Sequence, residues 1–118
     1  MANNNFMIYR YADVLLMLSE ATGDAAYLNL VRGRAALPLF GTSSYPSAKY
    51  PTLALAIEHE RRVELALEFH RWFDLKRTGR AVPVLTAKGK PVTEQKLLLP
   101  IPEIVRQQNP AVAQNTGY

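Results

Sequence analysis

Apolar residues dominate the stretch from Leu53 to Thr78 and recur at the spacing of an α-helix. At about 3.6 residues per turn, they cover more than half of the helix circumference. A helix that is apolar nearly all round is typical of a buried helix. Thr52 is a suitable N-cap and Gly79 a suitable terminator for this segment. The pattern therefore predicts one long central helix over residues 53–78.

Charges of both signs share the remaining stripe of this predicted helix. The charged residues of the stripe are Glu60, Arg61, Glu64, Glu68 and Arg71. Because unpaired charge is costly to bury, these side chains should meet partners of opposite charge on neighbouring helices. Buried ion pairs seldom give a net gain in stability. We therefore expect the stripe to fix the register of the helices more than to stabilise them.

Two shorter helical patterns precede the long one. The first covers residues 6–21 and is apolar except for one narrow charged stripe. That stripe consists of Arg10, Asp13 and Glu20. Gly23 can end this helix, and Asp24 can cap a second helix over residues 25–35. Because the connection is short, we predict an antiparallel helical hairpin over residues 6–35.

The remaining segments are interrupted by proline and glycine. Residues 39–52 predict a loop, and residues 80–96 are polar, with valines on both sides of Lys88–Gly89 that permit a small hairpin. Residues 97–118 contain three prolines and allow one helical turn over residues 103–108. The apolar residues of this arm favour docking on the helices. The chain is thus predicted to be a single all-α domain, residues 1–118, with about three helices and an irregular proline-rich C-terminal arm.

Four segments of the chain, taken in order, resemble the SusD/RagB family. They are RYADVLLMLSEA from residue 10, LNLVRGRAALP from residue 28, ERRVELALEFHRWFDLKRTG from residue 60, and LLLPIPEIVRQQNPAVAQNTGY from residue 97. Members of this family are outer-membrane lipoproteins that capture nutrients, mostly glycans, for a TonB-dependent transporter. The resemblance implies that residues 6–35 form a tetratricopeptide-like pair.

The resemblance also implies where such a protein acts and what part this chain has in it. The parent protein would bind an oligosaccharide at the cell surface and pass it to a SusC-like transporter, with this chain as scaffold. The sequence has no secretory signal and no lipid-bearing cysteine, and the several hundred residues that precede the Arg10 segment in the family are not in it. The expectation is a C-terminal portion of such a protein or a stand-alone remnant.

Composition narrows the remaining functional classes. The 118 residues include no cysteine, which excludes disulfides and thiol chemistry. The net charge is +4, but basic residues alternate with acidic ones instead of forming a phosphate-binding patch. We therefore expect no nucleic-acid partner.

Catalytic and metal chemistry find little support in the residue pattern. His59 and Glu60 begin like a zinc-protease motif, but Val63 occupies the position of the second histidine. His59 and His70 would lie about 16 Å apart along a helix, which is too far to share a metal ion. The spaced glutamates of the charged stripe fit ion pairs better than acid–base catalysis. We expect no catalytic residue, no metal, no cofactor and no enzyme activity.

Aromatic residues are the candidates for glycan contact, because sugar rings stack on flat apolar faces. Tyr45 and Tyr50 lie in the predicted loop and are candidates for exposed stacking, but they are equally suited to anchoring the loop. Trp72 is the best platform by type, but its place on the long helix favours the core. The resemblance carries no glycan-binding residue of the family onto a matching position of this chain.

An alternative function is a free-standing helical protein-interaction module without ligand binding. Three helices and a short arm cannot cover every apolar face of the first and third helices. Because monomers rarely expose large apolar patches, we also expect self-association, most simply as a homodimer through these faces.

Overall fold

The computed structural model describes residues 8–118, and every regular element in that range is helical. The chain divides into two compact units, one ending at Arg71 and one running from Trp72 to Tyr118. The α-helices are α1 (Tyr11–Thr22), α2 (Ala25–Arg34), α3 (Leu53–Glu64), α4 (His70–Arg77), α5 (Ala81–Thr86) and α6 (Glu103–Gln108), with a 3-10 turn at Glu94–Leu97. The predicted all-α class is confirmed. The prediction of a single domain stays a prediction, and each unit is described by itself.

Helices α1 and α2 form the predicted hairpin. Gly23 adopts the left-handed conformation, with φ of 70°, and its N–H donates to the Ser19 carbonyl at 3.0 Å. The Asp24 carboxylate then accepts from the Ala26 N–H at 2.8 Å, as an N-cap should. The helix predicted from residue 6 begins only at Tyr11, since Arg10 is extended; residues 6 and 7 lie outside the described range.

The core of the first unit lies where α1, α2 and α3 meet. Its buried apolar residues come from all three helices and from the loop that follows α2, and they are Ala12, Leu15, Leu16, Leu28, Val31, Tyr45, Ala56 and Ile57. Asn29 of α2 fixes the loop, because its side-chain amide accepts from the Phe40 N–H at 2.8 Å and donates to the Phe40 carbonyl at 3.2 Å. The loop thereby closes one end of the core.

The prediction of one continuous helix over residues 53–78 is wrong. Thr52 caps α3 as expected, but α3 ends at Glu64 and α4 begins at His70. Leu67 and Phe69 between them have left-handed φ values of 68° and 64°. Such values cost a non-glycine residue about 1–2 kcal/mol, so neighbouring contacts must stabilise this turn.

The turn at residues 65–69 is stabilised by two kinds of contact. It buries Leu65 and directs the Glu68 carboxylate onto Arg10. Leu67 is 97% exposed, and Val63 and Phe69 are also exposed. The prediction that the apolar residues of this region are buried on all sides is therefore wrong. Periodicity missed the break because no proline or glycine marks it.

The second unit contains α5 where the sequence permitted a hairpin, so the hairpin prediction is wrong. Pro83 lies in the first turn of α5, where its missing N–H costs nothing. Gly79 ends α4 as predicted, with φ of 68°, and the Arg80 N–H donates to the Leu75 carbonyl at 2.8 Å. The one-turn helix predicted over residues 103–108 is confirmed as α6.

The C-terminal arm is hydrogen-bonded to itself. The Gln114 side chain accepts from the Ile101 N–H at 2.8 Å and donates to the Ile101 carbonyl at 3.0 Å. The Asn115 side-chain amide donates to the Leu99 carbonyl at 2.6 Å. Docking of the arm on the helices of the first unit stays a prediction.

Candidate functional site

A buried ion pair joins α1 to α3. The Arg61 guanidinium donates to the Asp13 carboxylate at 2.7 Å, and the two side chains are 6% and 2% exposed. Both residues belong to the charged stripes identified in the sequence. Since the pair is removed from water, losing either partner would leave a buried charge without its counter-ion.

A second buried pair joins α2 to α3. Arg32 donates to the Glu60 carboxylate, and its Nε–H donates to the Pro38 carbonyl at 2.7 Å. The Arg32 guanidinium also lies 5.0 Å from the centroid of the Tyr45 ring, a cation–π distance. The sequence stripe contained Glu60 but not Arg32; the only signal for Arg32 was its place in the LNLVRGRAALP segment.

Arg10 joins the start of α1 to the end of α3 and the turn behind it. Its guanidinium donates to Glu64 at 2.9 Å and to both oxygens of Glu68 at 2.9 and 3.0 Å, and a further N–H donates to the Glu64 carbonyl at 2.6 Å. Hydrogen bonding to Glu68 and Glu64 raises the pKa of Arg10, and the bond from Arg10 lowers the pKa of Glu68. Arg34 of α2, absent from the predicted stripe, donates to Glu64 at 2.7 Å.

Two members of the predicted stripe occupy less protected positions. Arg71 donates to Glu58 at 3.1 Å, and its side chain is 32% exposed. Glu20 lies at the exposed surface of α1. The ion-pair network, made of the stripe residues with Arg32 and Arg34, thus consists of two buried pairs, the half-buried Arg10 cluster and a more exposed periphery.

The two loop tyrosines pack against other residues of the first unit. Tyr45 is only 5% exposed and packs edge to face on Phe40 with ring centroids 5.1 Å apart, so its reading as an exposed stacking platform is wrong. Its hydroxyl finds no hydrogen-bond partner among residues 8–118, and burial raises its pKa. Tyr50 stacks on His59 with centroids 4.1 Å apart, and burial lowers the pKa of His59.

An open groove of about 480 Å³ runs between α1 and α2. Its lining is mostly apolar, with arginines at the rim, and consists of Arg10, Tyr11, Ala12, Leu15, Leu30, Val31 and Arg34. Sequence periodicity did not identify this groove, because it indicates which positions of a helix are apolar but not which of them a neighbour leaves uncovered.

The described part of the chain offers no assembled centre for chemistry. Within residues 8–118, no group of three histidine, aspartate or glutamate side chains is placed to hold a metal ion. Trp72 is half-buried. No helix in this range is long and apolar enough to cross a membrane. What the arrangement does provide is a set of charged hydrogen bonds between three helices.

The sequence of the chain matches a known family. The family model for the SusD family covers residues 1–118, and the chain belongs to that family. Its members are lipoproteins of the outer membrane at the cell surface.

Individual relatives agree with this assignment. The chain is 32% identical to SusD-like protein P38 and 33% identical to SusD-like protein P2, both of Formosa agariphila, over 98% and 99% of its length. A solved structure of a laminarin-binding SusD-like protein is 38% identical and superposes over 94% of the chain with a TM-score of 0.72. The chain spans about a quarter of the length of each of these proteins, 25%, 26% and 23% respectively.

Proposed function

We propose that this chain is the helical scaffold of a SusD-like glycan-binding protein that delivers oligosaccharide to a SusC-like TonB-dependent transporter at the cell surface. Family membership and the laminarin-binding neighbour support the glycan class. In this proposal the matched quarter holds the protein together, whereas the remaining three quarters supply the ligand contacts. The chain itself is not an enzyme.

The scaffold role is supported by the arginines of the ion pairs and by the two loop tyrosines, all of which contact other residues of the first unit. The guanidiniums of Arg10, Arg32 and Arg61 all donate to carboxylates of the same unit. Tyr45 is buried and one face of Tyr50 is covered by His59. Donors and rings used in this way stiffen a support but leave little for a glycan.

A graft into the laminarin-binding relative tests this proposal. The matched quarter of that protein is replaced by the present chain, and laminarin oligosaccharide binding is measured by calorimetry beside the unaltered protein. A scaffold should preserve the dissociation constant to within about tenfold, or about 1.4 kcal/mol. A folded graft that has lost laminarin binding altogether would contradict the proposal.

A matched variant shows whether the loop contributes to binding. Tyr50→Ala in the graft should leave the dissociation constant for laminarin oligosaccharide unchanged within about twofold, because the Tyr50 ring is already stacked on His59. A loss of more than tenfold, with helicity unchanged, would place Tyr50 in a ligand site and would refute a purely structural role for this chain.

A further inference from the structure

The C-terminal end of α3 lacks the residue types that normally stop a helix. No glycine or proline occurs between Glu64 and His70. The chain nevertheless leaves the helix there, and Leu67 and Phe69 take left-handed φ values of 68° and 64°. Such values are unfavourable for residues that carry a Cβ atom. A contact from elsewhere in the chain must therefore stabilise the turn at residues 65–69.

The backbone hydrogen bonding of this turn is that of an interrupted helix. The Glu68 N–H donates to the Leu65 carbonyl, three residues back, at 3.2 Å. In a continuing α-helix it would donate four residues back, to the Glu64 carbonyl. That carbonyl instead accepts from the Arg10 guanidinium at 2.6 Å. Arg10 thus binds the acceptor that the next turn of helix would use.

Charged hydrogen bonds hold the guanidinium in place at this carbonyl. Arg10 also donates to the Glu64 carboxylate at 2.9 Å and to the two Glu68 carboxylate oxygens at 2.9 and 3.0 Å. The side chains of Arg10, Glu64 and Glu68 are only 20%, 12% and 25% exposed, so water competes weakly for these bonds. The guanidinium therefore cannot leave the carbonyl without giving up its carboxylate partners.

The packing of α1 on α3 places Arg10 at this point. The Arg61–Asp13 pair, at 2.7 Å, ties the two helices together in the core. Arg10 lies three residues before Asp13 and Glu64 three residues after Arg61, so their contact is one turn further along both helices. The Arg10 carbonyl also accepts from the Val14 N–H at 3.2 Å, which fixes the Arg10 backbone at the start of α1.

We propose that residues 65–69 are a two-state segment and that Arg10 selects its state. With the guanidinium on the Glu64 carbonyl, α3 ends at Glu64 and the turn forms. Without it, α3 continues through Phe69, because the freed carbonyl accepts from the N–H four residues on and both left-handed residues take helical φ values. An existing helix extends without the cost of nucleation. This inference goes beyond the proposed function, because it concerns a conformational change and not glycan binding.

Solution NMR of the full chain and its variants provides the test. Arg10→Gln removes the charged donor. Arg34→Gln is the matched control, because Arg34 bonds the same glutamate, Glu64, through its carboxylate, at 2.7 and 2.8 Å. The first readout is solvent exchange of the Leu67 amide proton, which slows when the amide joins a helix. The second is the NOE between the amide and α protons of Leu67 and of Phe69, which is strong at positive φ and weak in a helix. Circular dichroism establishes that each variant is folded.

We expect the Leu67 amide to exchange about tenfold more slowly in Arg10→Gln than in the unaltered chain, with a weaker NOE at Leu67 and Phe69. Arg34→Gln should change the exchange by less than about twofold. Adding Phe69→Gly to Arg10→Gln should restore the fast exchange, because glycine tolerates the left-handed conformation and weakens a helix. Faster exchange in folded Arg10→Gln, an NOE that stays strong at both residues, or an equal slowing in Arg34→Gln would each overturn the inference.

A second variant decides the matter if Arg10→Gln does not fold. Arg10→Lys keeps the positive charge, but a single ammonium replaces the planar fork that reaches the carbonyl and both carboxylates. Slowing of the Leu67 amide exchange by about threefold or more in Arg10→Lys supports the inference. Unchanged or faster exchange in this variant overturns it.

Discussion

Replacing Arg61 by leucine should be among the most destabilising single changes in the first unit. The substitution leaves the Asp13 carboxylate, 2% exposed, without the guanidinium that donates to it at 2.7 Å. Removing one partner of a buried ion pair typically costs about 3–5 kcal/mol. Small domains are stable by only about 5–15 kcal/mol, so the expected loss is a large share of the total.

Urea unfolding followed by circular dichroism measures this loss, and a double-mutant cycle assigns it to the pair. Asp13→Leu alone should cost a similar amount, whereas the double replacement should recover most of the stability, because both buried charges are then gone. Arg106→Ala is the matched control, since its pair with Glu103 is exposed and should contribute less than about 1 kcal/mol. A loss below about 1 kcal/mol for Arg61→Leu, or strictly additive single and double losses, would show that Arg61 and Asp13 do not form a buried ion pair in solution.

Four further results should follow. Leu67→Gly should raise the free energy of unfolding by about 0.5–1 kcal/mol, because it relieves a left-handed backbone at an exposed position; a loss in urea denaturation would show that the turn is not strained. Tyr45→Phe should keep or raise the thermal midpoint, because the lost hydroxyl has no partner among residues 8–118; a drop would reveal a hidden hydrogen bond. The free energy of unfolding should fall as the pH decreases from 6.5, the ordinary pKa of histidine, towards the lower pKa of His59 in the folded chain. It should fall again below pH 4.5, the ordinary pKa of glutamate, because the pKa of Glu68 is also lowered on folding and the unfolded chain therefore binds both protons at a higher pH. A urea midpoint independent of pH between 8 and 3 would contradict this expectation. Arg71→Ala should cost only about 1 kcal/mol, because its side chain is one-third exposed, and a loss of 3 kcal/mol would mean that its pair with Glu58 is buried in solution.

The sequence predicts a helix end correctly wherever a residue with a specific capping role lies at that end. Gly23, Asp24, Thr52 and Gly79 all act as expected, because each supplies a backbone conformation or a hydrogen bond that few other residues provide. The break at residues 65–69 carries no such marker. It depends on Glu68 meeting Arg10, which lies 58 residues earlier, and a local pattern does not contain that contact.

The ion-pair stripe shows the same division between local and long-range information. Periodicity identified Arg10, Asp13 and Arg61 as charges on apolar helices, so their need for partners could be predicted. Which partners they meet depends on the packing of α1, α2 and α3. The sequence pattern therefore did not identify Arg32 and Arg34 as members of the ion-pair network, although both lie in a segment that resembles the family.

Tyr45 shows the limit of reasoning from composition. A tyrosine among prolines and serines suggests an exposed loop, yet Phe40 and Arg32 enclose its ring. The contacts that bury it come from the return of the loop across α2, which Asn29 fixes through the Phe40 backbone. Loop sequence alone does not specify such a return.

Calorimetry of the isolated chain against a panel of oligosaccharides, laminarin fragments among them, tests the scaffold role most directly. We expect no hydrolysis and no binding tighter than about 10 µM, near −7 kcal/mol. The reason is that Arg10, Arg32 and Arg61 donate to carboxylates of the first unit and that the loop residues Tyr45 and Tyr50 pack within it. A glycan bound more tightly than that by the folded chain would show that these 118 residues contain a ligand site of their own and would contradict the scaffold role.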